Sequence, residues 1–118
     1  MKKVYKNQKK IFEELVGRVS EFSEIEKKRM FGYESFFTQC KCFAGVRNLG
    51  KSTSVVLKLS TKVYPEAIKK SFFSPFRNTK SWVECRATSP RAVELLVPWI
   101  ELSYSYALNK RKEGSGSS

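Results

Sequence analysis

The sequence predicts an α+β domain of two layers, an antiparallel sheet of four to five strands with helices packed on one face. Three observations predict it. Apolar residues recur at helical spacing from Ile11 to Phe22, short β-rich runs follow between Ile25 and Leu59, and helical patterns return after residue 60. This segregated order places helices on one side of an antiparallel sheet rather than between parallel strands. The 118 residues make one domain, which buries roughly two-thirds of its unfolded surface and so builds a core without disulfides or metals.

The first helix presents Ile11, Leu15, Val16, Val19 and Phe22 on one face. The runs MFGYESFF, CFAGVRN and TSVVLKLS are three strands joined by two turns. In the third, Val55, Leu57 and Leu59 alternate with Val56 and Lys58, as a strand with one buried face requires. Ser60 and Thr61 cap a short second helix with Pro65 in its first turn and Val63, Ala67 and Ile68 pointing inward, ending near Ser71. A loop with Phe72, Phe73, Pro75 and Phe76 leads to KSWVECRA, where Val83, Cys85 and Ala87 alternate with Trp82, Glu84 and Arg86 as in another strand. Ser89-Pro90 opens the last helix with a cap and an N1 proline, and Pro98 is expected to kink or divide it. The domain spans residues 10–110. Residues 1–10 are a basic arm or the start of the first helix, and 111–118 a disordered tail or an expression-vector remnant.

The composition excludes much chemistry. All 11 acids are Glu, and His is absent. A Ser-His-Asp triad, an imidazole metal ligand and an Asp-held magnesium are therefore ruled out. Cys40, Cys42 and Cys85 show no zinc spacing, and C-x-C is not the C-x-x-C redox motif, so the expectation is three reduced thiols. Neither a cofactor nor a metal is expected, and neither is enzymatic activity. No apolar run approaches the ~18 residues of a spanning helix, and the opening MKKVYKNQKK has lysines where a signal peptide is apolar, which predicts a cytoplasmic protein without membrane attachment.

Gly45-Val46-Arg47-Asn48-Leu49-Gly50-Lys51-Ser52 satisfies the G-x-x-x-x-G-K-[ST] pattern of a phosphate loop. A working loop opens a helix whose N-terminal amides hold the anion. Here TSVVLKLS follows, a strand by its alternation, so the segment is a basic turn between two strands.

Arg29–Val46, RMFGYESFFTQCKCFAGV, resembles the opening of the TfoX N-terminal domain family, whose members read M-F-G-Y or M-F-G-G, a short hairpin, then M-F-A-G or M-F-A-L. The resemblance continues through VVLKLS, Ser74-Pro75-Phe76 and WIELSYSYA, over residues 10 to 108. It implies an α+β fold, a stand-alone version of the domain, a regulatory role and no catalytic residues. A fainter similarity is to the YjbR family, whose members are thought to bind DNA. The family's hairpin carries Asn-Gly where this chain has Gln39-Cys40-Lys41, and Cys disfavours the positive φ of a tight turn. Of the matched residues, Met30, Phe31, Phe36, Phe43 and Trp99 are expected in the core, and Gly32 and Gly45 at a close approach or bulge.

The net charge of +12 attracts polyanions over a Debye length of about 8 Å. Positive residues bunch at Lys2, Lys3, Lys6, Lys9 and Lys10; at Lys27, Lys28 and Arg29; at Lys69, Lys70, Arg77 and Lys80; and at Lys110, Arg111 and Lys112. These are the candidate nucleic-acid-binding residues. Converging on one face, they make a sequence-tolerant contact with DNA or RNA. Dispersed, each is a solvated charge run. Lysine outnumbers arginine, which suits phosphate contact better than base reading. Phe72, Phe73 and Trp82 lie among the third group, where stacking on unpaired bases competes with burial, the expected fate of at least two of them. The rival reading is a protein-interaction module whose charge selects an acidic partner or regulator. If the last helix leaves Tyr104 and Tyr106 exposed, a homodimer through that face is expected.

Overall fold

A computed structural model describes the backbone of residues 2–77 and 80–116, and side chains within 9–77 and 80–108. Its elements run α1 (Lys2–Ser20), β1 (Glu26–Met30), β2 (Tyr33–Thr38), β3 (Lys41–Asn48), β4 (Thr53–Lys58), α2 (Tyr64–Ile68), β5 (Ser74–Pro75), β6 (Trp82–Ala87) and α3 (Pro90–Gly116). The strands form one antiparallel sheet in the order β1-β2-β3-β4-β6-β5. The α+β architecture expected from the pattern is therefore present, with six strands where four to five were expected. Two causes account for the difference. The charged segment Glu26–Met30, ahead of the Phe31-Gly32 turn, forms an edge strand of its own paired with β2, and Ser74-Pro75 adds a two-residue strand at the other edge.

Alternation sorts the sheet into two faces. Phe36, Ala44, Leu57 and Val83 form one cross-strand row, and Val46, Val55 and Cys85 form another. All seven are buried under α1 and α3. The helices contribute Ile11, Leu15 and Val19 from α1 and Val93, Leu96, Ile100 and Ala107 from α3, and Ala67 of α2 closes one side. Burying a side chain of the Val, Leu or Phe class stabilises by about 1.5–3 kcal/mol, so this layer carries most of the fold's stability. A bulge between β2 and β3 sets Phe43 beside Ala44, and both are buried. The Phe43 ring meets Tyr104 of α3 edge-on at 5.6 Å, and Tyr104 stacks on Phe22 at 4.4 Å with its hydroxyl bonded to the Ser23 carbonyl. Ser103, fully buried, directs its hydroxyl to the carbonyls of both Phe43 and Lys58 and so ties α3 to β3 and the end of β4.

Several expectations change. Pro98 does not divide α3; the helix runs continuously and the proline lies on its exposed side, where water can meet the unpaired carbonyl. The helix also continues through Gly116, where a tail was expected from 111, because Lys, Arg and Glu are good helix formers. At the other end, residues 2–10 belong to α1, so the start of the first helix, rather than a separate arm, is the structure found. Ser89 caps α3, its Oγ accepting from the Ala92 amide at 3.3 Å. Ser60 does the same for Val63 at 3.2 Å, closing the turn before α2, while the N-cap position itself is Val63 with no side-chain bond. That helix ends at Ile68, short of Ser71.

The β2–β3 turn is the sharpest departure. Gln39 and Cys40 both take positive φ, 54° and 64°, so the tight left-handed turn forms despite the missing Asn-Gly. Partnered strands on both sides impose it, since Thr38 pairs with Lys41 directly across the turn. Cys85 is buried, Cys42 half-buried and Cys40 exposed, all as free thiols. Burial, with the nearby Glu84 charge, pushes the Cys85 thiol up to about 11, and burial raises Cys42 as well, so neither is an activated nucleophile at neutral pH.

Candidate functional site

Among the described residues, no helix packs on the second face of the sheet. Its side chains come from the alternate positions, Tyr33 and Ser35 on β2, Gly45 and Arg47 on β3, Ser54 and Val56 on β4, and Trp82, Glu84 and Arg86 on β6. Gly45 is central to it. A Cβ there would lie 3.0 Å from Val56 Cγ2 and 3.3 Å from Tyr33 Cδ2, a tight fit that lets the Tyr33 ring lie close across β3. The tyrosine hydroxyl reaches Ser54 Oγ at 3.2 Å, and Ser54 donates to Glu84 Oε2 at 2.5 Å. Because Ser54 spends its proton on the carboxylate, Tyr33 is the donor in the first bond. Arg86 Nε lies 3.5 Å from the same Glu84 oxygen. A polar chain thus links β2, β4 and β6 over the glycine.

The segment after β5 folds over this face. Phe73 is buried edge-on against Trp99 of α3, whereas Phe76, three residues on, meets Tyr33 at 6.2 Å and Trp82 at 6.4 Å. The chain therefore crosses the sheet edge at Ser74–Pro75. Arg77, at φ 61°, then reaches back so that its guanidinium lies 5.4 Å from the Phe76 ring and 5.9 Å from the Phe31 ring. Beneath these groups is a cleft of about 170 Å³ with Gly45 and Val56 as its floor and Phe31, Tyr33, Phe76 and Trp82 as its walls. Arg47 adds a second guanidinium, 5.8 Å from the Tyr33 ring.

Two residues expected in the core stand at this cleft instead. Met30 is 39% and Phe31 78% exposed. The reason is local: Phe31 and Gly32 form the β1–β2 turn, with φ of 55° and 81°, and a residue at a turn tip cannot point into the sheet's buried layer. Glycine suits position 32, whose φ of 81° strains a residue with a side chain. Phe36, Phe43 and the partly buried Trp99 do join the core.

The expected basic clusters are only partly assembled. Arg77 is brought to Phe31 and so to the end of the Lys27-Lys28-Arg29 strand. Within that strand Lys27 and Arg29 both turn to Glu34, at 3.5 and 2.9 Å, and the Arg29 hydrogen bond holds the Glu34 carboxyl below its usual range. Lys28 lies on the open face, 5.4 Å from the Phe37 ring. Lys69 and Lys70 are separated from Arg77 by the edge crossing: they follow α2, Lys69 beside Glu66, between the buried Ala67 and Phe73. Lys80 is exposed in the turn before β6, and Lys9 and Lys10 are exposed on α1. The side chains of Lys2, Lys3, Lys6, Lys110, Arg111 and Lys112 lie outside the described residues. Sequence reasoning missed Phe31, Phe76, Arg47 and Arg86. Arg47 and Arg86 carried a signal, since both occupy outward positions of alternating strands.

The G-x-x-x-x-G-K-[ST] segment is strand and turn. Leu49 and Ser52 are joined by a backbone bond of 2.8 Å, Asn48 Oδ1 accepts from the Gly50 amide at 2.8 Å, and β4 follows at Thr53. Tyr104 is packed between Phe22 and Phe43, and Tyr104 and Tyr106 are both half-buried. Among the described residues, no helix is long and apolar enough to cross a membrane.

Comparison with known proteins adds the fold alone. No protein-family profile and no curated protein matches the sequence. The chain is similar to the crystal structure of a structural-genomics target protein from Pseudomonas syringae, with a TM-score of 0.60 at 15% identity, covering 77% of this chain and 93% of that one.

Proposed function

We propose that the chain is a non-enzymatic, cytoplasmic regulatory or accessory domain, TfoX-N-like in its MFGY and FAG segments, that contacts DNA or RNA mainly through phosphate. The observation that supports this most is the chemistry of the helix-free face. Arg47, Arg77, Arg86 and Lys28 share it with the aromatic rings of the cleft, in a chain of net charge +12. Guanidinium groups held over rings remain cationic while their edges stay available for phosphate. The lysines at 69 and 70, on the other side of the edge crossing, have a lesser share in this reading.

A salt titration tests it. Each phosphate neutralised contributes about 0.9 to the slope of log K against log salt on duplex DNA, so Arg47→Gln with Arg77→Gln should reduce the slope by about 1.8. Lys69→Gln with Lys70→Gln should leave it nearly unchanged. Absence of binding to DNA and RNA of random sequence at ~50 mM salt, where electrostatic contacts are strong, would overturn the proposal. That outcome would favour a second reading, docking on an acidic protein. One observation supports it: Leu95 and Leu102 are 46% and 44% exposed and lie two turns apart on one side of α3.

A further inference from the structure

We infer that the cleft under Phe31 and Arg77 receives one unpaired nucleobase, which makes single-stranded nucleic acid the preferred ligand; the inference rests on the nucleic-acid reading above and specifies its ligand. Size is the first argument. At about 170 Å³ the cleft is well below the ~300 Å³ at which pockets for drug-sized ligands begin, which leaves room for one planar ring system and none for a dinucleotide cofactor. Its walls are the second. Phe31, Tyr33, Phe76 and Trp82 surround an apolar floor that Gly45 keeps flat, and aromatic faces bind any base because every base has a π-face.

Charge at the rim is the third argument. The Arg77 guanidinium lines the cleft near the Phe31 and Phe76 rings, and that of Arg47, next to the cleft but not lining it, lies 5.8 Å from the Tyr33 ring. An uncharged flat ring attached to an anion satisfies the apolar interior and the cationic rim together, and a nucleotide within a strand is such a group. Bases stacked in a duplex are unavailable to a recess of this kind. The exposure of Phe31 is the fourth. This phenylalanine is 78% exposed and held at φ 55°, a conformation that costs energy in a residue other than glycine and returns no core packing. Three positive-φ residues, Phe31, Gly32 and Arg77, shape the same mouth.

The test uses the full chain with fluorescein-labelled oligo(dT) of about 15 nucleotides, within the span of known single-strand sites, and a dA·dT duplex of equal length, both followed by anisotropy at one salt concentration. Expected are binding of oligo(dT) about tenfold tighter than of the duplex, and a loss of about tenfold for oligo(dT) on Phe31→Ala, the size of one base–aromatic stack. Duplex affinity should change less than twofold. Phe31 buries little, so this variant keeps the fold, as circular dichroism will show. In a Trp99→Phe background Trp82 reports from the cleft wall, and oligo(dT) should quench its emission where the duplex does not. Equal affinity for both ligands, or oligo(dT) binding indifferent to Phe31→Ala, overturns the cleft inference and leaves the phosphate contact standing. Failure of both ligands to bind at ~50 mM salt overturns the two together.

Discussion

Phe43→Ala is expected to destabilise the protein by about 3–5 kcal/mol, the range for truncating a buried phenylalanine. The position is unusually connected. Phe43 is 1% exposed, packs edge-on against Tyr104, and through it meets Phe22, just past the end of α1. Its carbonyl also accepts the Ser103 hydroxyl at 2.6 Å. Removing the ring opens a cavity where β3 and the segments carrying Phe22 and Tyr104 converge, and the bulge backbone that positions the carbonyl has less to hold it. Domains of this size have ~5–15 kcal/mol in total, so the variant will be marginal. Urea denaturation checks the value, with an unchanged m-value showing that stability and not the denatured state has moved. A loss below about 1 kcal/mol would mean that the junction is not packed as described.

Gln39→Asn with Cys40→Gly is expected to act in the opposite direction, raising stability by about 1–2 kcal/mol. Both residues are held in the left-handed region, at φ 54° and 64°, where a residue with a side chain pays roughly 1–2 kcal/mol and Asn and Gly pay less. The gain is reduced by the larger unfolded-state freedom of glycine and by losing the exposed Gln39–Glu24 bond of 2.7 Å. For a domain of this length the increment corresponds to a rise in Tm of about 5 °C. Calorimetry reads it directly. A fall in Tm would show that Gln39 and Cys40 make favourable contacts that outweigh the backbone strain.

The same turn shows how far the sequence was legible. Period-two alternation in TSVVLKLS and SWVECRA marked β4 and β6, and the helical spacing of Ile11, Leu15 and Val19 marked α1, because burial on one face leaves a periodic trace. The β1–β2 and β2–β3 turns were hard for one reason. Positive φ is signalled by Gly and Asn, and here Phe31, Gln39 and Cys40 adopt it because the flanking strands are already paired. The misplacement of Phe31 followed from it, since hydrophobicity predicts burial only for a residue whose backbone faces the core. The cleft itself was out of reach. It depends on the chain crossing the sheet edge between Phe73 and Phe76, and no local pattern records that the two rings lie on opposite sides of a sheet. The charge clusters were legible as sequence runs, yet the separation of Lys69 and Lys70 from Arg77 comes from the same crossing.

The central claim is that the helix-free face of the sheet, and not the helical layer, meets the nucleic acid. Amide chemical-shift mapping during addition of oligo(dT) tests it most directly, since a chain of 13.6 kDa gives resolved spectra. The account predicts that the largest shifts fall on Phe31–Tyr33, Gly45–Arg47, Ser54, Phe76–Arg77 and Trp82–Arg86, with α1 and α3 nearly still. Shifts concentrated on α1 and α3, with the Phe31–Tyr33 and Phe76–Arg77 amides unmoved, would contradict it.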